Sequence, residues 1–268
     1  MSRKQRYPQP VNQEQHHQKV VLKSKLKPKN YTQEFYLNAL QDSKLTICSG
    51  PAGSGKTFLV TYVALQKLLN NEVTRIVITR PVVEAGEHLG FLPGTLEEKL
   101  NPYLLPLLDA IEDHVGPTMA KKLIESGKIE VAPLAFMRGR TFNDSFVILD
   151  EAQNCSIEQV KMFVTRMGFN SFFAVNGDPR QSDLPKNQEN GLVHIFSRLA
   201  GVSPDIATVE FSQRDIVRNE LIGTILTYLD APAPRDVKTN GHTQSLNFPR
   251  GGHGITLKGA GAQSALTS

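Results

Sequence analysis

The chain has 268 residues, 40% of them hydrophobic, which is enough to bury one sizeable core and a small appendage. No apolar run approaches the length of a membrane-spanning helix, and the basic, Gln-rich start has no apolar block of the kind a secretory signal needs. The net charge of +4 is uneven: residues 1–30 hold eight Lys or Arg against one Glu, residues 231–268 hold four against one Asp, and the body between them is mildly acidic.

In chain order, residues 1–29 read as a disordered basic tail, because they offer few apolar side chains to bury. Residues 30–230 read as the folded body. A helix over Gln33–Gln41 leads into a strand at Leu45–Ser49, followed by a helix over Lys56–Leu69 and a strand at Ile76–Thr79. Helices over Leu96–Asp113 and Met119–Ser126 come next, then strands at Ile129–Ala132 and Phe146–Leu149. The spacing of Ser156 and Gln159 predicts a capping box that starts a helix over Ser156–Met167. Strands at Phe172–Asn176 and Ala207–Phe211 and a helix over Val217–Leu229 complete the body. Several strands are nearly unbroken apolar runs, as expected of strands covered on both faces. Strands alternating with helices predict an α/β fold, a mostly parallel sheet sandwiched by helices, with ligands at the carboxyl ends of the strands. Residues 231–268 are rich in Pro, Gly and Ser and read as a second disordered tail. The two cysteines, Cys48 and Cys155, fall in or beside core elements and read as reduced, which fits a cytoplasmic setting.

The chemistry concentrates at those carboxyl ends. "GPAGSGKT" at residues 50–57 matches the phosphate-loop pattern in full and sits between a strand and a helix, the order the loop requires. Gly50, Gly53 and Gly55, with Pro51, Ala52 and Ser54 between them, form a tight turn whose backbone N–H groups converge on phosphate oxygens. Lys56 is expected at the β- and γ-phosphates, and the Thr57 hydroxyl on Mg²⁺. After the Phe146–Leu149 strand come Asp150, placed to share the metal, and Glu151, placed to activate a water as general base. No N-K-x-D string for guanine occurs, so the nucleotide is expected to be ATP. Gln33, ahead of the first strand, sits where many ATP-driven helicases place a glutamine against adenine. No metal-ligand cluster emerges from the histidines, so zinc is not expected.

These segments, together with "TRPVVEAGEHLGFLPGTLEEKLNPY" (79–103), "APLAFMRGRTFNDSFVILDEAQN" (132–154), "GDPRQSDLP" (177–185) and "FSQRDIVRN" (211–219), resemble the PhoH family of ATPases, in a compact or phage-type form. The resemblance covers roughly residues 28–229. It implies a RecA-like P-loop NTPase core similar to one motor domain of the helicases, and ATP turnover coupled to RNA or single-stranded DNA. On that pattern Gln181 is the sensor of the γ-phosphate and lytic water. Thr79 and Arg80, with Gly86, Gly90 and Gly94, belong to a loop that touches nucleic acid. Arg218 aligns with a family arginine, although Asn219 stands where a histidine is usual. Arg138, Arg140, Arg214 and Arg218 are the candidates for a finger that completes a neighbour's site. One core of this size suits a homo-oligomer, which the resemblance implies is a ring of hexamer type. Two other functions fit the same loop: a nucleotide-dependent interaction module without unwinding activity, and a P-loop kinase.

Overall fold

The computed structural model describes residues 22–81, 96–185 and 187–217, with backbone alone over 96–104. Six strands, β1 (Leu45–Ser49), β2 (Arg75–Arg80), β3 (Ile129–Pro133), β4 (Ser145–Leu149), β5 (Phe172–Gly177) and β6 (Ile206–Glu210), form one sheet in the order β3-β2-β4-β5-β1-β6. Every pairing is parallel, so the expected sheet is there in all-parallel form. Strand β5 lies between β1 and β4, setting Ile47 opposite Val175 and Leu149 opposite that same Val175 from the other side. The end of the phosphate-loop strand and the end of the acidic strand are therefore two strand spacings apart, with the end of β5 between them.

Residues two apart along a strand share a face, and here both faces are apolar. Ile76, Ile78, Phe146 and Ile148 face a core under α1 (Tyr31–Asp42), α2 (Lys56–Leu69), α3 (Leu96–Val115) and α4 (Pro117–Glu125). Val77, Val147, Leu149 and Val175 face a second core under α5 (Ile157–Val164) and α6 (Gly191–Leu199). Caps fix the helix starts. Asn30 accepts the Gln33 N–H before α1, and Ser156 with Gln159 forms the expected capping box before α5.

Three differences from the sequence reading are informative. Helix α6 was not expected; its signal is the Asn190 cap, whose side chain accepts the Leu192 and Val193 N–H groups. Helix α5 stops at Val164, short of Met167, where the chain turns so that Gly168 N–H reaches the Phe142 carbonyl. Residues 22–29, read as the end of a tail, run without regular structure along the body: Leu22 and Leu26 pack on its core, and the Lys23 N–H bonds the His114 carbonyl at 2.8 Å. Apart from Val217, the helix expected over Val217–Leu229 lies outside the described residues.

Candidate nucleotide site

The loop after β1 turns on glycines at positive φ, and two of them show why no other residue fits. A Cβ at Gly50 (φ +154°) would sit 2.5 Å from Phe211 Cβ, so the loop can lie against β6 only with glycine there. Gly55 (φ +88°) is the left-handed residue directly before α2, aiming the helix N-terminus into the turn. Ser54 is fully buried, its hydroxyl donating to the Pro51 carbonyl at 2.8 Å. The Lys56 ammonium is folded into the loop, donating to the Gly50 and Pro51 carbonyls at 2.8 and 2.9 Å. Ala52 N–H donates to Asp178 Oδ2 at 3.2 Å, and the Gly53 carbonyl accepts Val217 N–H at 2.9 Å. An arriving phosphate would thus take over an ammonium and loop N–H groups now satisfied internally.

The acids at the end of β4 stand where the sequence puts them. Thr57 Oγ1 lies 3.1 Å from each carboxylate oxygen of Asp150. Burial pushes the Asp150 carboxyl up to about 6; the charge of Glu151 adds to this, while the Thr57 hydroxyl, Arg80 and Lys56 pull the other way. Glu151 takes a left-handed backbone conformation (φ +54°) at the turn that follows β4. Its carboxylate pairs with Arg80 at 3.4 Å and accepts from Gln153 Nε2 at 2.5 Å. Gln153, almost fully buried, also accepts the Asp178 N–H at 3.1 Å, so one carboxamide ties the end of β4 to the end of β5.

Asp178 closes the site on the β5 side. Burial alone would raise its carboxyl, but bonds from the Arg180 side chain and N–H and from Ala52 N–H outweigh it and hold the group below its ordinary value. Gln181, exposed on the turn that follows, reaches the same cavity, which has a volume of about 390 Å³. Asp109 and Asp113 of α3 form the opposite wall beside Phe58. Sequence reasoning missed these two aspartates and Gln153. The i,i+4 spacing of Asp109 and Asp113 puts them on one helical face, but which face meets the loop depends on how α3 packs.

Other expected residues stand apart. Gln33 is buried, its Oε1 accepting Lys29 N–H at 2.8 Å and its Nε2 donating to the Ser54 carbonyl at 3.0 Å, and it does not line the cavity. Its amide braces the phosphate loop from behind. Thr79 is buried within β2, its carbonyl accepting Asp150 N–H, and Arg80 turns toward Glu151 rather than outward into a loop. Arg140 makes a two-pronged pair with Glu130 at 2.5 and 2.7 Å over the Phe142 ring, which commits it internally. Arg138 and Arg214 are exposed and line no part of this cavity. Arg218, Gly86, Gly90 and Gly94 lie outside the described residues. Both cysteines are buried, and burial pushes the Cys155 thiol up to about 12 and that of Cys48 higher still. No helix among the described residues is long and apolar enough to cross a membrane.

A parallel sheet with a phosphate loop after β1, and an acid ending β4 against the loop threonine, defines the P-loop NTPase fold. Within that class the chain belongs to the PhoH family: the family model described as PhoH-like protein matches residues 25–230. It is 49% identical over 201 residues to a PhoH-like protein of Mycobacterium tuberculosis, covering 75% of this chain and 57% of that protein. It is 46% identical over 205 residues to a PhoH-like protein of Bacillus subtilis, covering 76% and 64%. Against the Protein PhoH of Escherichia coli K12 the identity is 42% over 195 residues, covering 72% and 55%. The chain thus spans between 55% and 64% of the length of these relatives. Among solved structures it is similar to the large terminase of a thermophilic bacteriophage, with a TM-score of 0.47, 10% identity, and coverage of 77% of this chain and 52% of that one.

Proposed function

We propose that residues 30–230 form an ATPase domain that hydrolyses ATP in the cytoplasm and couples turnover to RNA or single-stranded DNA. The observation that carries the reading is the contact of Thr57 with both oxygens of Asp150, one residue from Glu151, on the rim of a phosphate loop. Two hard oxygen donors and a carboxylate strained by burial suit Mg²⁺, which keeps several waters and needs few protein ligands. Thr57 and Asp150 would hold it, and when bound it supplies charge neutralisation for the β- and γ-phosphates.

The residues of the chain divide the remaining work. Gly50 to Thr57 wrap the phosphates with N–H groups, and Lys56 exchanges its loop carbonyls for phosphate oxygens. Glu151 accepts a proton from the attacking water as the water oxygen bonds the γ-phosphorus. The bond from that phosphorus to the β–γ bridging oxygen breaks, leaving ADP and inorganic phosphate. Gln181 is suited to orient the water, since an amide can donate to one oxygen and accept from another. Gln33, through its link to the Ser54 carbonyl, holds the phosphate loop in shape from behind. Arg214 or Arg218 of a neighbouring subunit in a ring, of hexamer type, completes the site; arginines supplied in this way raise turnover by about 10³–10⁵ in other P-loop enzymes.

Phosphate release measured with and without RNA or single-stranded DNA tests the reading. Glu151→Gln is expected to bind ATP normally and to lose at least about a hundredfold in turnover, the scale of a general base. Turnover at the parent rate in that variant, or transfer of the γ-phosphate to an acceptor other than water, would sink it.

A further inference from the structure

At the carboxyl edge of β2 and β3, away from the phosphate loop, two concavities of about 580 and 490 Å³ share Arg138, Glu158 and Met162 and so make one trough. One wall is α5. Glu158, Lys161, Met162 and Thr165 fall at i, i+3, i+4 and i+7, the face opposite Val160 and Phe163, which are buried in the core. The floor is apolar, made of Pro81, Leu134 and Ala135 with Met162. The rim carries Arg138, Lys161 and Arg166 against one carboxylate, Glu158.

The cations of this rim differ from the other arginines near the sheet edge. Arg80 pairs with Glu151, Arg140 with Glu130 and Arg180 with Asp178. Among the described residues, Arg138 and Lys161 make no ion pair, and the guanidinium of Arg166 bonds only the Met162 and Arg140 carbonyls and the Thr165 hydroxyl. Of the three, Arg138 and Arg166 have no carboxylate partner among the described residues, and Lys161 shares only the charge of Glu158. On a body whose overall balance is acidic, this rim keeps a local excess of positive charge that suits an anion from outside. A repeating anion with flat apolar faces between its charges fits a cationic rim over an apolar floor. Duplex nucleic acid presents only its phosphates to such a trough, since its bases are stacked inside.

We propose that this trough binds single-stranded nucleic acid, with Arg138, Lys161 and Arg166 on its phosphates and the Pro81–Leu134–Met162 floor beneath its bases. The proposal rests on the nucleic-acid half of the function given above and assigns it a site. The inner end of the trough is Pro81, the neighbour of Arg80, whose pair with Glu151 sits in the nucleotide cavity. A strand seated here therefore touches the chain one residue from the group that holds the proposed base, a short route from occupancy to turnover.

The test is anisotropy of a labelled 20-nucleotide oligouridine and oligothymidine on the full chain across a salt series. Each phosphate contact on a single strand contributes about 0.7 to the slope of log K against log salt, so Arg138→Ala with Lys161→Ala should flatten the slope by about 1.4. Affinity should fall at least about tenfold for the pair, with binding of a fluorescent ATP analogue unchanged, while Glu158→Gln, which removes the one rim carboxylate among the described residues, should tighten binding. Basal phosphate release should persist in Lys161→Ala, with its stimulation by the oligonucleotide reduced. If the parent binds oligonucleotide and the double variant keeps the same affinity and slope, the trough is wrong and the function stands. If the parent hydrolyses ATP but binds no oligonucleotide, the trough and the nucleic-acid half of the function fall together. Equal competition by duplex, or weaker binding in Glu158→Gln, also overturns the assignment.

Discussion

Beneath the nucleotide site, Tyr36 of α1 donates its hydroxyl to Asn176 Oδ1 of β5 at 2.6 Å, and both side chains are completely buried. The Asn176 amide nitrogen has no partner among the described residues, so this hydroxyl provides the one bond satisfying the Asn176 side chain. Tyr36→Phe keeps the ring and its edge-on packing against Phe211 but leaves Asn176 without a partner at either end. An unsatisfied buried acceptor costs about 1–3 kcal/mol, and a central value of about 2 kcal/mol lowers the folding equilibrium roughly thirtyfold. For a domain of this size that is a fall in Tm of about 4–8 °C. Urea denaturation followed by circular dichroism reads the free energy directly. Adding Asn176→Val, close in volume and without polar atoms, should recover most of the loss, because removing both partners is far cheaper than stranding one. A single variant within about 0.5 kcal/mol of the parent, or a double variant less stable than the single by the full cost of Asn176→Val alone, would refute the reasoning.

Four further outcomes are expected. Thr57→Ala should weaken nucleotide binding in magnesium at least about tenfold, the worth of one well-made polar contact, and change binding in EDTA far less, which titration calorimetry in the two buffers separates. Gly50→Ala forces a Cβ to within 2.5 Å of Phe211 Cβ and should cost about 1–3 kcal/mol in urea denaturation. Burial between Phe58 and Tyr62 holds the His114 imidazole below its ordinary value, so the unfolded chain takes the proton first and His114 withdraws stability as pH falls below about 6.5. Asp150, raised to about 6, acts with the opposite sign, adding stability as pH falls through that value. The difference between the parent and His114→Gln at pH 7.5 and 5.5 isolates the histidine, and an identical pH dependence in the two proteins would refute it. Cys48 and Cys155 should resist a thiol reagent in the native protein and titrate as two thiols once urea unfolds it.

The sheet and the phosphate site were legible because their signals are local. A short unbroken apolar run such as Phe146–Leu149, set between turn residues, suits a strand covered on both sides, and its place in a parallel sheet brings Asp150 to the edge that carries the phosphate loop. What stayed hidden depends on packing. Helix α6 is only nine residues long, and the cap at Asn190 is its clearest mark. Asp109 and Asp113 line the cavity beside the phosphate loop because of how α3 packs on α2. Arg138 and Arg140, on either side of Gly139, looked equivalent in sequence; the connection after β3 returns Arg140 onto Glu130 of that strand and leaves Arg138 open. Gln33 carries a motif signal, yet its buried carboxamide is spent on Lys29 and Ser54.

The segment at 22–29 changes where this protein can be cut. Charge places the limit of the basic arm at residue 30, but the chain is already committed eight residues earlier: Leu26 N–H meets the Tyr62 hydroxyl, and Lys29 N–H holds the amide that braces the phosphate loop. Trimming to residue 30 removes a mechanical support of the loop along with the cations, so lost nucleic-acid affinity and lost ATP affinity would arrive together and be mistaken for coupling. A deletion that ends before Leu22 leaves the Leu26 and Lys29 contacts in place.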